Sequence, residues 1–186
     1  MFKIIEPLVK FRGLPFKHPL LFPIIGVGLS AIAVCLYANS KHARYSAETH
    51  YSLGNALHDK GQYDAAIAED REAIRLKPDF FGAHNNLGNA LYHKGRYDAA
   101  IAEDREAIRL KPDFAPAHVS LGLALATKGQ YDDAIAEYRE AIRLNPDLAG
   151  AHDDLGMALE RSGKSAEASQ EFAEAHRLDP KITPPN

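Results

Sequence analysis

Residues 47–80 read AETHYSLGNALHDKGQYDAAIAEDREAIRLKPDF, and the same pattern recurs at 81–114, 115–148 and 149–182. Each copy carries a Leu-Gly pair, a second glycine and a proline at the same intervals. A constant period of 34 residues predicts a stacked array of identical supersecondary units. Each unit in such an array buries its apolar face against its neighbours, and the stack exposes a long surface for other proteins.

Every copy contains two helical stretches with a stop signal after each. The first stretch, such as 81–94, ends at a glycine, which tolerates the left-handed backbone after a helix C-terminus. The second stretch, such as 97–110, ends before Pro112, because proline cannot continue a helix. An aspartate in each turn, such as Asp79, precedes the next helix, where it is expected to cap free backbone N–H groups. The sequence therefore predicts an all-α fold of four helix pairs.

The residues of each copy resemble the tetratricopeptide repeat family. That pattern is filled in the first copy by Leu53, Gly54, Leu57, Ala66, Ala73 and Pro78. Asp70 and Asp104 stand where an aromatic residue is usual, whereas Tyr138 and Phe172 restore it in the later copies. The resemblance covers 47–182. It implies antiparallel helix pairs stacked into a right-handed superhelix with a concave groove.

The last copy is polar at places where the earlier copies are apolar. Ser165 replaces a tyrosine, and Ser169 and His176 replace isoleucines. A terminal repeat needs a wettable end face, because no further repeat covers it. We expect the array to end near Ile182 and the chain to be complete there, with 183–186 as a short C-terminal tail.

Charge is distributed unevenly along the chain. The net charge of −3 divides into +5 for residues 1–45 and −8 for the remainder. An acidic array argues against a nucleic-acid partner, because binding to phosphates depends mainly on lysine and arginine.

An uncharged segment, PLLFPIIGVGLSAIAVCLYA, occupies 19–38, between a basic tail at 1–18 and a short linker at 39–46. Twenty residues at ~1.5 Å each reach across the ~30 Å hydrocarbon core of a bilayer. We expect this segment to be an uncleaved transmembrane helix that contacts the lipid bilayer. Two alternatives stay open: a signal peptide cleaved near Ala38, with secretion of the repeats, and a lipoprotein attached at Cys35.

The flanking charges predict the orientation of this segment. Basic residues before the span favour a cytoplasmic N-terminus under the positive-inside rule. The repeats would then lie on the periplasmic side of a bacterial inner membrane. Gly26 and Ser30 form a small-xxx-small pair that would allow two spans to associate, so a homo-oligomer is an open alternative.

No group of residues indicates a reaction. The sequence lacks a phosphate-binding loop, a paired-cysteine metal site, a His-Glu-x-x-His motif and a nucleophile elbow. One histidine recurs per copy, at His50, His84, His118 and His152. Equivalent helices should lie on the order of 10 Å apart, too far for shared zinc ligands at ~2 Å. We expect these histidines to pack between helices and apply the same distance argument to His58 and His93. The sequence therefore predicts no enzyme activity, no metal and no cofactor.

The resemblance also implies which residues line the groove, because the first helix of each repeat does so in this family. The implied groove residues are Tyr51, Asn55, His58, Asn85, Asn89, Tyr92, Val119, Leu123, Asp153 and Met157. Asparagines satisfy both donors and acceptors of a peptide backbone, and an apolar patch holds an anchor side chain. The expected function is a membrane-anchored adaptor that binds a partner protein or peptide in this groove.

Other interpretations remain. In the simplest one, the predicted groove residues are only tolerated surface residues. In another, the protein is a structural subunit of a cell-envelope or secretion complex that self-associates or binds outside the groove. An enzyme accessory, resembling the repeat portion of some glycosyl transferases, is a further alternative. A clamp for acidic chaperone tails is disfavoured, because Tyr51, Pro116 and Ser120 stand where that subfamily carries cations.

Overall fold

The computed structural model describes residues 46–183, and these form four antiparallel helix pairs. The helices are α1 (46–59), α2 (Tyr63–Leu76), α3 (Phe81–His93), α4 (Tyr97–Leu110), α5 (Ala115–Thr127), α6 (Tyr131–Leu144), α7 (Ala149–Arg161) and α8 (Ser165–Leu178). No strand occurs among the described residues. The prediction of an all-α array of four helix pairs is confirmed.

The predicted tail at 1–18, the span at 19–38 and most of the linker lie outside the described residues, as do 184–186. Between 46 and 183, every helix is too short or too polar to cross a bilayer.

A glycine ends the first helix of each repeat, as the sequence predicts. Gly95 has a φ of +71°, in the left-handed region that glycine adopts without strain. Its N–H donates to the Tyr92 carbonyl at 2.8 Å, and the next N–H, of Arg96, donates to the Leu91 carbonyl at 2.9 Å. These two bonds satisfy carbonyls that the helix would otherwise leave free.

The predicted aspartate caps are wrong. The residues at the N-cap positions of α3, α5 and α7 are Phe80, Phe114 and Leu148, and no side chain caps these helices. The chain turns by backbone bonds instead, since the Phe80 N–H donates to the Lys77 carbonyl at 3.1 Å. The cap position thereby goes to an apolar side chain that packs between successive first helices. Phe114, at the start of α5, lies 5.0 Å from Phe81, at the start of α3, between ring centroids.

The first helices lie on the inner side of the stack. Helix α3 contacts α5, and α5 contacts α7, whereas among α2, α4, α6 and α8 no second helix contacts another. In a curved stack, equivalent helices approach more closely on the concave side. The first helices therefore line the groove, in agreement with the family resemblance.

The two ends of the array differ. Ser165, Ser169 and His176 are exposed on α8, which confirms the predicted polar end face. At the other end, Leu53 of α1 is 46% exposed, whereas its equivalent Leu87 is buried against the preceding repeat.

Candidate functional site

A buried histidine joins each of the last three repeats to the turn of the repeat before it. His84 Nδ1 lies 2.7 Å from Glu103 Oε2, and its Nε2 lies 3.2 Å from the Pro78 carbonyl oxygen. Both oxygens accept only, so the doubly protonated ring donates to each. Burial opposes this charge, but the hydrogen bonds to Glu103 and Pro78 outweigh it and raise the pKa of His84. His118 and His152 repeat the geometry, which confirms that these histidines pack between helices.

The expectation that His58 and His93 lie far apart is wrong. Their ring centroids are 5.3 Å apart, because Tyr92 and not His93 is the 34-residue equivalent of His58. Desolvation, together with His93, lowers the pKa of His58, and the buried Nε2 of His58 has no hydrogen-bond partner. No group of three or more potential metal ligands occurs among residues 46–183. The two rings therefore form a packing contact near the N-terminal end of the groove.

Two carboxyl groups occupy the place that an aromatic residue holds in the later repeats. Asp70 and Asp104 are each 1% exposed, and a methyl group added to Gly88 would lie 2.4 Å from Asp104 Oδ1. Burial raises the pKa of Asp70 to about 7 and that of Asp104 to about 8. The buried Oδ1 of Asp70 has no hydrogen-bond partner. Tyr138 fills the equivalent space beside Gly122 in the third repeat.

Asn85 and Asn86 hydrogen-bond other side chains of the array. Asn85 Nδ2 donates to Asp104 Oδ1 at 2.9 Å and lies 3.0 Å from Ser120 Oγ, and the side chain is 5% exposed. Asn85, which the sequence places in the groove, is therefore an internal partner of Asp104 and offers no free amide to a ligand. Asn86 likewise donates to Asn55 and hydrogen-bonds Asp70.

Most other predicted groove residues of the first two repeats already contact other side chains of the array. Tyr51 packs against Phe80 with ring centroids 4.7 Å apart. The Tyr92 hydroxyl lies 3.2 Å from Thr127 Oγ1. Asn89 is half-buried, and within 46–183 its side chain makes no hydrogen bond. Asn89 is therefore the free amide of this part of the groove.

A cavity of about 350 Å³ opens between α5 and α7, where the sequence predicts an apolar patch. Its apolar lining comprises Leu123, Ala126, Tyr131, Tyr138, Met157 and Ala158. Met157 is 45% exposed and Tyr138 only 1%, so the cavity has an open rim and a buried floor. The structure thus brings the predicted residues Leu123 and Met157 together. Val119 and Asp153 lie half-buried on the same two helices.

One polar lining residue, Asp154, is absent from the sequence prediction. It is half-buried, and no residue of 46–183 donates a hydrogen bond to its carboxylate. Desolvation, and then the charge of Asp153, raises the pKa of Asp154 to about 6. The available signal was its place in the repeat, where the second and third copies carry the neutral Asn86 and Ser120. Thr127 and Arg161 complete the polar lining.

Comparison with known proteins places this geometry in a family. A family model described as TPR repeat matches residues 54–95, 88–129 and 122–163. No curated protein sequence matches the chain.

Solved structures agree with the family model. A crystal structure of MamA protein is 30% identical over 76% of this chain and 77% of that chain, with a TM-score of 0.66. A second MamA crystal structure is 26% identical over 87% and 98%, with a TM-score of 0.67. YrrB, described as a TPR protein with an unusual peptide-binding site, is 21% identical over 73% and 70%, with a TM-score of 0.63, and shows a shared fold.

Proposed function

The chain belongs to the tetratricopeptide repeat family, and from that premise we propose that it is an adaptor that binds a partner polypeptide in the concave groove of its repeats. The observation that carries the proposal is the cavity between α5 and α7. It combines an exposed thioether rim at Met157 with a buried aromatic floor at Tyr138. Concave, mainly apolar pockets with a few polar groups are the usual form of a binding site.

The rest of the groove suits an extended chain. The free amide of Asn89 lies on α3, and the cavity lies between the following first helices, α5 and α7. An amide offers both a donor and an acceptor to a peptide backbone, while the cavity accepts one anchor side chain. The partner is therefore held by a backbone contact on the second repeat and a side-chain anchor between the third and fourth.

The proposal includes membrane anchoring through 19–38. An uncharged segment of twenty residues, the basic residues before it and the short linker at 39–46 support this part. The groove would then be held close to the periplasmic face of the membrane. Protease added outside intact spheroplasts should digest the repeats, and full protection of the repeats would contradict the orientation.

Site-specific photo-crosslinking in cells tests groove binding. The crosslinker is placed at Asn89 and at Leu123, with Glu106 as the control on a second helix. Glu106 lies on α4, where it pairs with Arg109 of the same helix at 2.6 Å. A discrete partner band from the two groove positions alone is expected, whereas bands only from Glu106 would contradict groove binding.

One observation favours the alternative of a self-associating or structural subunit. Leu53 exposes on α1 a side chain whose equivalents, Leu87, Leu121 and Leu155, are buried against a preceding repeat. A crosslinker at Leu53 that captures another copy of the chain, with no band from Leu123, would support that alternative.

A further inference from the structure

The junctions between successive repeats differ in whether their buried or half-buried carboxyl groups have a hydrogen-bond partner within the chain. At the first junction Asp70 hydrogen-bonds Asn86, and at the second Asp104 accepts from Asn85 at 2.9 Å. At the third junction, Tyr138 occupies the second-helix position that Asp70 and Asp104 hold at the first two. The carboxyl group at this junction belongs instead to Asp154, on the first helix of the next repeat. The first two carboxyl groups therefore have an amide partner within the chain, whereas Asp154 has none among residues 46–183.

A second polar group faces the same cavity without a partner. Tyr138 is 1% exposed and lines the cavity, and no residue of the described part of the chain hydrogen-bonds its hydroxyl. Both groups face the cavity and can therefore accept a hydrogen bond from a ligand that enters it. The Tyr138 hydroxyl both donates and accepts, whereas the ionised Asp154 carboxylate only accepts, so this carboxylate lacks a hydrogen-bond donor.

The side chains that line the cavity indicate which kind of partner side chain supplies that donor. Leu123 and Met157 form an apolar passage from the rim, and Asp154 supplies negative charge, with Asp153 next to it. Lysine and arginine combine a long apolar stem with a charged head that donates hydrogen bonds. A neutral apolar side chain would fill the passage but leave Asp154 unpaired.

Arg161 is the one cation of the lining and is exposed to solvent. It follows Asp154 by seven residues on α7, which corresponds to about 10 Å along the helix axis. No hydrogen bond or ion pair joins Arg161 to Asp154, and the pKa of Asp154 is raised, so Arg161 does not neutralise this carboxylate.

We infer that the cavity between the third and fourth repeats binds a lysine or arginine side chain of a partner polypeptide, whose cationic head pairs with Asp154 while its stem packs against Leu123 and Met157. This inference rests on the proposed groove function and specifies the chemistry of its anchor.

Met157 provides a direct reporter, because Met1 is the only other methionine in the sequence. The full chain in lipid nanodiscs is labelled with ¹³C-methyl methionine and titrated at pH 7.5 with acetylated, amidated pentapeptides. Their sequence is Ala-Ala-Xaa-Ala-Ala, with lysine, arginine, norleucine or glutamate at Xaa. The lysine and arginine peptides should shift the Met157 methyl resonance with saturation, and Met1 should not move. Norleucine should bind at least about tenfold more weakly, which corresponds to about 1.4 kcal/mol.

Asp154→Asn removes the charge and keeps the shape, so it should abolish the preference for lysine over norleucine. Asp113→Asn removes the same charge from an exposed turn residue and should leave the titration unchanged. Equal binding of norleucine and lysine, or a preference retained in Asp154→Asn, would overturn the cation anchor and leave groove binding standing. No Met157 shift with any peptide up to 10 mM would also overturn it, and the crosslinking test of the groove is read independently.

Discussion

At the scale of single residues, Asp104 makes stability depend on pH. Its carboxyl group is buried beside Gly88 with a pKa raised to about 8, against ~3.9 in an unfolded chain. Between these values the folded state holds a proton that the unfolded state has released. The free energy of unfolding therefore falls as pH rises from about 4 to about 8. At about 1.4 kcal/mol per pKa unit, the loss amounts to a few kcal/mol.

Asp104→Asn tests this expectation, because an asparagine has the shape of the protonated carboxyl group and still accepts from Asn85. Urea denaturation followed by circular dichroism at pH 5 and pH 8.5 should show a smaller pH dependence in the variant. The contribution of His84 to the free energy of unfolding also falls as pH rises, because a raised pKa stabilises the folded state only below that pKa. The difference between parent and variant isolates Asp104, and identical pH profiles would contradict the assignment.

The sequence identifies the unusual residues more readily than their partners. Asp70 and Asp104 are visible as departures from the repeat pattern, and Leu123 and Met157 as an apolar patch. The inward turn of Asn85 is not visible. The Asn85 side chain enters the space that Asp104 leaves, because Asp104 is smaller than Tyr138 at the equivalent position of the next repeat. The packing of two helices, and not the local sequence, sets the size of that space.

At the scale of the helix, two glycines in first helices respond oppositely to alanine. A Cβ at Gly122 would lie 2.7 Å from Tyr138 Cε1, whereas a Cβ at Gly150 would meet nothing within 4 Å. Gly122→Ala should destabilise the fold by about 1–3 kcal/mol through overpacking. Gly150→Ala should stabilise it by up to ~1 kcal/mol through helix propensity. Thermal denaturation of the two variants measures the contrast, and equal melting temperatures would refute it.

The histidine contacts between a first helix and the preceding turn give a second prediction at this scale. His118→Leu leaves Glu137 and the Pro112 carbonyl without their donor, so we expect a loss of about 1–3 kcal/mol. His176→Leu is the matched control, because His176 lies exposed on the last helix. Urea midpoints that shift equally in both variants would show that the buried contact contributes nothing specific.

Helix boundaries follow from the sequence, whereas the caps do not. The glycine and proline series place the ends of the helices within about one residue, because each residue type has a backbone restriction that acts locally. The prediction of aspartate caps is wrong because the residue at the start of each first helix packs against the neighbouring first helix. Phe114 packs against Phe81 there, and a local capping preference competes with that burial.

At the scale of the whole molecule, the array divides into two chemically different halves. The first two junctions bury carboxyl groups with amide partners, and the later repeats bury Tyr138 and Phe172 in the same place. From α2 to α8, each helix contacts only helices of its own or an adjacent repeat, so we expect the two halves to differ in local stability. The cavity lies in the half with the aromatic residues, above the buried ring of Tyr138.

Hydrogen exchange of the two interior repeats tests this division. The second repeat (81–114) and the third (115–148) each have a neighbour on both sides, and they differ at the central position as Asp104 against Tyr138. At pH 8.5, where Asp104 is mostly ionised, α3 and α4 should exchange faster than α5 and α6 after correction for intrinsic rates. At pH 5.5 the protonated carboxyl group removes most of this difference.

Asp104→Asn should slow exchange in the second repeat at pH 8.5 and leave the third unchanged. Uniform protection of both repeats at pH 8.5 would show that the array opens as one unit and that the buried carboxyl groups do not divide it.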